Sequence, residues 1–158
     1  MDRHDKIAIS MIFLLSLLLA IISSIWQAST MPNIPRESFD IDPRTALELA
    51  RGFARNYSDG VVPPGVDIYI TGIQWAWIPN NIKIKAGVTY RFIFMSSDVV
   101  HGLEIIGPKG VVYSLMVMPG MAYVAYLRFD EPGIYEIRCN EYCGIGHQDM
   151  IGRIEVVR

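Results

Sequence analysis

Both cysteines of this 158-residue chain lie in one short stretch near its C-terminus. The stretch runs from Cys139 through Cys143 and His147 to Met150, which gives the spacing C-x3-C-x3-H-x2-M. Its side chains offer two thiolates, an imidazole and a thioether. Soft sulfur ligands combined with imidazole suit copper better than magnesium or calcium, which prefer oxygen ligands. The stretch therefore predicts a copper site.

Two other structures would explain the cysteines alone. A disulfide bond is common in exported domains, but cysteines four positions apart would close a very short loop, and His147 and Met150 would have no role. A structural zinc site is the second alternative, although its ligands are normally cysteine and histidine rather than methionine. We expect copper, with a disulfide or zinc as the alternatives.

The second cysteine bears on the kind of copper site. A mononuclear blue-copper site uses two histidines, one thiolate and a long axial methionine. Two thiolates in one loop can instead bridge a pair of copper ions that share one unpaired electron. The chain has three histidines. His147 lies in the loop and His4 precedes an apolar segment, so the second histidine would be His101. The backbone carbonyl of Glu141, between the two cysteines, could be a further ligand.

An apolar segment is expected at the N-terminus. Residues 7–26 carry no charge, and as a helix they would span about 30 Å, the thickness of a bilayer core. They predict one transmembrane helix within an anchor of residues 1–30. A cleaved signal peptide fits less well, because its apolar region runs about 7–15 residues and no A-x-A-like site follows. The net charge of −2 and the absence of a basic run argue against a nucleic-acid partner.

Residues 31–65 are expected to form a linker with one short amphipathic helix. Asp42-Pro43 is typical of an N-cap followed by proline at the first helical position. Apolar residues then recur at helical spacing from Thr45 to Tyr57. We expect this helix to cover the following domain or to lie on lipid.

Residues 66–158 are expected to form one β domain. From Val66 the apolar residues alternate with a period of two, and Gly- and Pro-containing turns separate the apolar runs. The predicted strands are 66–71, 81–85, 89–96, 100–106, 111–116, 121–129, 133–139 and 151–157. About eight strands in about ninety residues predict a β-sandwich or barrel. The loop with the predicted ligands connects the last two strands.

The loop from Cys139 to Met150, together with Ser97–His101 and Gln74–Trp77, resembles subunit II of the haem–copper cytochrome c oxidases. The resemblance extends from about Val66 to the end of the chain and includes the N-terminal anchor. It implies an all-β, cupredoxin-like Greek-key sandwich or barrel, held at a prokaryotic cell (inner) membrane with the domain on the periplasmic or outer side. The single helix resembles the shorter subunit II of B-type oxidases, for which another small membrane subunit could supply a further helix.

The resemblance also implies a function and a set of ligands. A dinuclear copper centre, CuA, would accept single electrons from cytochrome c and pass them to haem in subunit I. That partner subunit would hold the haems and CuB, and the complex would reduce O2 to water and pump protons. The implied copper ligands are His101, Cys139, Glu141 through its carbonyl, Cys143, His147 and Met150. Expected partners are subunit I, cytochrome c and membrane lipid.

Three further roles follow from the resemblance or from the neighbourhood of the ligands. One of the tryptophans in a predicted strand, Trp75 rather than Trp77, would be the surface residue that receives electrons, although such tryptophans are usually packed in a core or at an edge. Asp98 could orient the ligands or belong to an acidic docking surface. The Glu141 side chain could bind magnesium at the boundary with subunit I, as in A-type relatives, or simply accept hydrogen bonds there.

A membrane-tethered copper carrier or assembly protein is the alternative from another functional class. Carriers need exposed, exchangeable ligands on flexible segments, whereas these ligands lie between predicted strands. The copper domain of a nitrous oxide reductase has a similar loop, but it accompanies a large catalytic region for which this chain has no room. Quinol oxidase relatives lack the copper ligands, so the full set favours a cytochrome donor.

Overall fold

The computed structural model describes residues 2–30, 35 and 37–158, without the side chains of residues 27–30. The chain forms two compact units, Met1–Pro32 and Asn33–Arg158. The predicted linker falls partly on residues 31–34 and 36, which lie outside the described residues.

The N-terminal unit is one helix, α1, which spans Arg3–Thr30. Its segment Arg3–Trp26 is long and apolar enough to cross a membrane, and none of its most apolar window is buried in the protein. Large side chains from Ile7 to Trp26 are exposed all round the helix. A helix that is apolar on every side suits a lipid environment, in which its backbone bonds are satisfied internally.

A second helix, α2, spans Pro43–Tyr57 and begins where the sequence predicts. The Asp42 carboxylate accepts hydrogen bonds from the backbone N–H groups of Arg44, at 2.9 Å, and Thr45, at 3.1 Å. These bonds satisfy donors that have no partner within the first turn of a helix. The residues that α2 buries are Ala46, Ala50 and Phe53. The helix therefore covers the domain, which was one of the two positions expected for it.

The second unit contains ten strands among its described residues. They are β1 (Glu37–Asp40), β2 (Ile68–Ile73), β3 (Ala76–Ile78), β4 (Asn81–Lys85), β5 (Thr89–Ser96), β6 (His101–Gly107), β7 (Gly110–Val117), β8 (Met121–Arg128), β9 (Gly133–Cys139) and β10 (Ile151–Val157). They form two five-stranded sheets, in the orders β1-β8-β5-β2-β3 and β4-β10-β9-β6-β7. Side chains of both sheets enter one apolar core, so the predicted β-sandwich is confirmed.

Strand β1 is absent from the prediction, and of β3 only the placement of Trp77 in a strand was expected. Residues of β1 are all exposed, and the strand joins the sheet edge only by pairing with β8, from Glu37↔Val124 to Asp40↔Met121. Such a strand has no apolar alternation to reveal it. Strand β3 has three residues and pairs back on β2, which leaves Gln74 and Trp75 in the turn between them. The expectation that Trp75 lies in a strand is therefore wrong.

Three strand ends meet at one end of the second sheet. Cys139 is the last residue of β9 and pairs with Leu103 of β6, so that His101 at the start of β6 lies close by. The backbone N–H of Cys139 donates to the carbonyl of Met150, just before β10, at 3.3 Å. This pairing brings ligands from distant parts of the sequence to the rim of a rigid sandwich.

Candidate metal centre

The two cysteine sulfurs lie side by side without forming a bond. Their Sγ atoms are 3.7 Å apart, whereas a disulfide requires about 2.05 Å. Both cysteines are free and buried. The separation is less than twice a metal–thiolate bond of about 2.3 Å, so one ion can contact both sulfurs. The cysteines are therefore arranged as ligands and not as a disulfide.

Each sulfur has an imidazole nitrogen and a weaker donor beside it. On the Cys139 side, Sγ lies 3.9 Å from His101 Nδ1 and 3.2 Å from the carbonyl oxygen of Glu141. On the Cys143 side, Sγ lies 3.6 Å from His147 Nδ1 and 3.8 Å from the thioether sulfur of Met150. All six predicted ligand positions are thus brought together, in two similar halves that share the pair of sulfurs.

This set of donors fits copper. Sulfur and imidazole ligands dominate it, and a thioether is unusual for zinc but common for copper. The ligand atoms of His101, Cys139 and Cys143 all lie within 4.8 Å of one another. His101 and Met150 are almost completely buried, so these two side chains are fixed by packing.

The His101 ring is oriented from behind by Asp98. The ring Nε2 lies 2.9 Å from Asp98 Oδ1, and the same oxygen accepts a hydrogen bond from the N–H of Val99 at 2.7 Å. A carboxylate at Nε2 favours the tautomer with its proton there, which leaves the Nδ1 lone pair facing the sulfurs. This geometry agrees with the predicted orienting role of Asp98.

A second anchor holds the ligand loop at the carbonyl of Cys143. This oxygen accepts hydrogen bonds from Gln74 Nε2 at 2.7 Å and from Trp75 Nε1 at 3.2 Å. The loop also lies against the indole ring, because a Cβ placed on Gly146 would be 2.7 Å from Trp75 Cδ2. Only glycine permits this approach. No sequence pattern indicates the Gln74 contact, since a polar residue in a turn is ordinary.

The two tryptophans lie in different environments. Trp75 is 42% exposed, whereas Trp77 is 1% exposed and packs edge-on against His101 with ring centroids 5.9 Å apart. Trp77 is therefore a core residue beside a ligand. Of the two, Trp75 alone offers a ring at the surface, where a partner protein could reach it.

The thiol of Cys143 is a weak acid in this setting. Burial, with a contribution from the neighbouring Cys139 thiol, raises the pKa of Cys143 to about 11. Without metal the group is therefore protonated at neutral pH, and a metal ion must displace the proton to gain a thiolate ligand.

Comparison with known proteins agrees with this site and fold. The chain is 30% identical over 152 residues to cytochrome c oxidase subunit 2 of Thermus thermophilus, covering 94% of this chain and 86% of that protein. It matches a chain in the cryo-EM structure of a haem–copper terminal oxidase dimer with a TM-score of 0.66 and 28% identity, covering 98% of this chain and all of the other. A comparison with sequence models of protein families finds no match.

More distant solved structures share the fold of the β domain. The periplasmic domain of cytochrome oxidase subunit II from Bradyrhizobium japonicum matches with a TM-score of 0.51 at 20% identity, covering 61% of this chain and 86% of that one. Auracyanin from Roseiflexus castenholzii matches with a TM-score of 0.50 at 16% identity, covering 61% of this chain and all of that one. These likenesses confirm the cupredoxin-like sandwich. With the identity and coverage of the Thermus relative, they show that the chain belongs to the cytochrome c oxidase subunit 2 family and is a subunit of an oxidoreductase complex.

Proposed function

We propose that this chain is the subunit through which electrons enter a cytochrome c oxidase. A dinuclear copper centre would receive single electrons from cytochrome c and deliver them to haem in subunit I, which would also hold CuB. The observation that carries the proposal is the convergence of six donors in two halves about the sulfurs of Cys139 and Cys143. A mononuclear copper site needs one thiolate, and this site has two. The second thiolate is explained if two ions share both sulfurs.

The ligands have distinct roles in this proposal. When bound, copper supplies a reversible one-electron couple. The thiolates of Cys139 and Cys143 would bridge the two ions, and His101 and His147 would each bind one of them. Met150 would be a weak axial ligand, and Glu141 would contribute its carbonyl oxygen. Because His101, Cys139 and Met150 lie at or beside strand ends of a packed sandwich, they need little movement when the charge of the centre changes.

Trp75 is proposed as the place where cytochrome c delivers its electron. Its ring is exposed at the surface, and its Nε1–H donates to the carbonyl of the ligand Cys143. One side chain thus connects the surface to the ligand loop. We expect Trp75→Phe to slow electron acceptance while copper is still bound, because the phenyl ring still supports Gly144 and Gly146.

The experiment is stopped-flow oxidation of reduced cytochrome c by the assembled, copper-loaded oxidase. Trp75→Phe should slow the bimolecular phase, whereas Ile134→Ala, at an exposed apolar residue at the start of β9, should leave it unchanged. Equal rates for the wild type and Trp75→Phe would refute the role of Trp75. A wild-type complex that accepts no electron from any cytochrome c would refute the proposed function.

Placement in the membrane is part of the same proposal. The apolar α1 would anchor the chain in the cell membrane, in contact with lipid. The copper domain would lie on the periplasmic or outer side. Subunit I, and a further small membrane subunit, would be the partners in the membrane.

Magnesium at the Glu141 side chain is proposed as a separate feature of the boundary with subunit I. The carbonyl of Glu141 faces Cys139, and the residue itself is exposed on this chain, so its carboxylate is accessible to a partner. Metal analysis of the whole complex should show less magnesium in Glu141→Gln than in the wild type. Unchanged magnesium would rule the site out.

A copper carrier is less well supported. The cysteines, His101 and Met150 are all buried, and the ligand loop is tied at the Cys143 carbonyl to the turn between β2 and β3. Ligands held in this way suit retention of a metal rather than its transfer to another protein.

A further inference from the structure

We propose that Gln74 is a positioning residue that fastens the two halves of the metal centre to one turn of the chain. This inference rests on the proposed copper centre. It concerns a residue that binds no metal and lies outside the ligand loop. Its contacts reach both halves of the centre, from the turn between β2 and β3.

The first contact is made by the Gln74 backbone. Its N–H donates to Asp98 Oδ2 at 2.6 Å, and the other oxygen of this carboxylate holds His101 Nε2 at 2.9 Å. The orientation of His101 therefore depends on a carboxylate that is itself fixed by the β2–β3 turn. This contact belongs to the Cys139 half of the centre.

The second contact is made by the Gln74 side chain. Its Nε2 donates to the carbonyl of Cys143 at 2.7 Å, across a separation of 69 positions in the sequence. With the bond from Trp75 Nε1, both lone pairs of this carbonyl have a donor. Two donors thus hold this carbonyl, which fixes the ligand loop at Cys143.

Together these contacts make Gln74 a link between the two halves, in addition to the pairing of β6 with β9. His101 comes from β6, and Cys143 comes from the β9–β10 loop, so no covalent path of short length connects them. The path His101–Asp98–Gln74–Cys143 does so with three hydrogen bonds, all at 2.9 Å or less. A fixed separation of the two halves is what a centre with two shared sulfurs requires.

The position allows a clean test. Gln74 is exposed at the surface, so its substitution removes the side-chain bond without opening a cavity in the core. Gln74→Ala removes the donor and keeps the backbone bond to Asp98. Gln74→Glu keeps the length of the side chain but places a carboxylate oxygen against the carbonyl. Gln148→Ala is the matched control, because Gln148 lies in the ligand loop and, within the part of the chain that the structure describes, its side chain donates to the neighbouring Asp149 alone.

Two measurements on the full chain in detergent separate the inference from the proposed function. The first needs no copper: the rate at which the buried thiols of the metal-free protein react with an aromatic disulfide reagent. Loss of one hydrogen bond from the loop should raise this rate about two- to tenfold in Gln74→Ala, and Gln74→Glu should react at least as fast. Gln148→Ala should react like the wild type.

The second measurement is the electron paramagnetic resonance spectrum and reduction potential of the copper-loaded protein. Both should change in Gln74→Ala and Gln74→Glu and stay unchanged in Gln148→Ala. Wild-type thiol reactivity, spectrum and potential in both Gln74 variants would overturn the inference. If the wild type bound no copper pair, the proposed function would fail, while the thiol rates would still decide whether Gln74 holds the loop.

Discussion

Asp98 joins His101 to a turn on the other sheet. One oxygen of its carboxylate lies 2.9 Å from His101 Nε2, and the other accepts the Gln74 N–H at 2.6 Å. Strand β6, which begins at His101, belongs to one sheet, and the β2–β3 turn belongs to the other. A single carboxylate thus connects a proposed copper ligand to the opposite layer of the sandwich.

The first prediction concerns this carboxylate. Asp98→Ala should lower the affinity for copper by about 10- to 100-fold, the range seen when the residue behind a metal-bound histidine is removed. The physical reason is that the His101 ring loses the partner that fixes its tautomer and direction. Competition with a copper chelator measures the affinity.

The control for this prediction is Asp130→Ala, which removes a carboxylate paired with Arg128 after β8. It should bind copper as the wild type does. An Asp98→Ala protein with wild-type affinity would mean that packing alone orients His101.

The second prediction concerns the contact of the ligand loop with Trp75. A Cβ at residue 146 would lie 2.7 Å from Cδ2 of the indole, so Gly146→Ala must push the loop and the ring apart. Overpacking of this kind costs about 1–3 kcal/mol, which corresponds to a fall in copper affinity of at least about fivefold. Gly60→Ala is the control, because nothing lies within 4 Å of a Cβ at that position.

Copper titration of the two glycine variants checks this prediction. Equal affinity in Gly146→Ala and Gly60→Ala would show that the loop can move away from the indole without disturbing its ligands.

The third prediction concerns a buried hydroxyl remote from the metal. Tyr113 is completely buried and stacks on Phe94, and its hydroxyl has no hydrogen-bond partner among the described residues. Because an unpaired buried polar group destabilises the fold, Tyr113→Phe should raise the free energy of unfolding by about 1 kcal/mol. Chemical denaturation of the metal-free protein measures it, with the exposed Tyr142→Phe as the control.

The effect of Tyr113→Phe on stability should depend on pH. Burial raises the pKa of Tyr113 to about 12, so between about pH 10 and 12 the unfolded chain has released a proton that the folded protein retains. Stability of the wild type should therefore fall as the pH rises through this window. Tyr113→Phe lacks this contribution, and its advantage over the wild type should grow there. A constant or shrinking advantage would contradict the prediction.

Most of the fold and the ligand set could be predicted because their signals are local. Five of the six predicted ligands lie within the stretch Cys139–Met150, and the chain has few histidines from which to choose the sixth. The N-cap at Asp42 and the apolar alternation of the longer strands are also encoded by neighbouring residues. In each case the pattern and its structural consequence share one element.

The features that escaped prediction depend on contacts between distant segments. Strand β1 is recognisable only through its pairing with β8. Trp75 lies in the turn between β2 and β3 and not in a strand, and the contact of Gln74 with Cys143 follows from the packing of that turn on the ligand loop. No periodicity or motif within these segments records such contacts.

The proposed function requires that Cys139 and Cys143 together hold two copper ions. The most direct measurement is copper content per chain together with quantitative electron paramagnetic resonance of the oxidised, copper-loaded protein. We predict two coppers and one unpaired electron per chain, shared between the ions. One copper per chain with the signal of a single ion, or a disulfide in place of copper, would contradict the account.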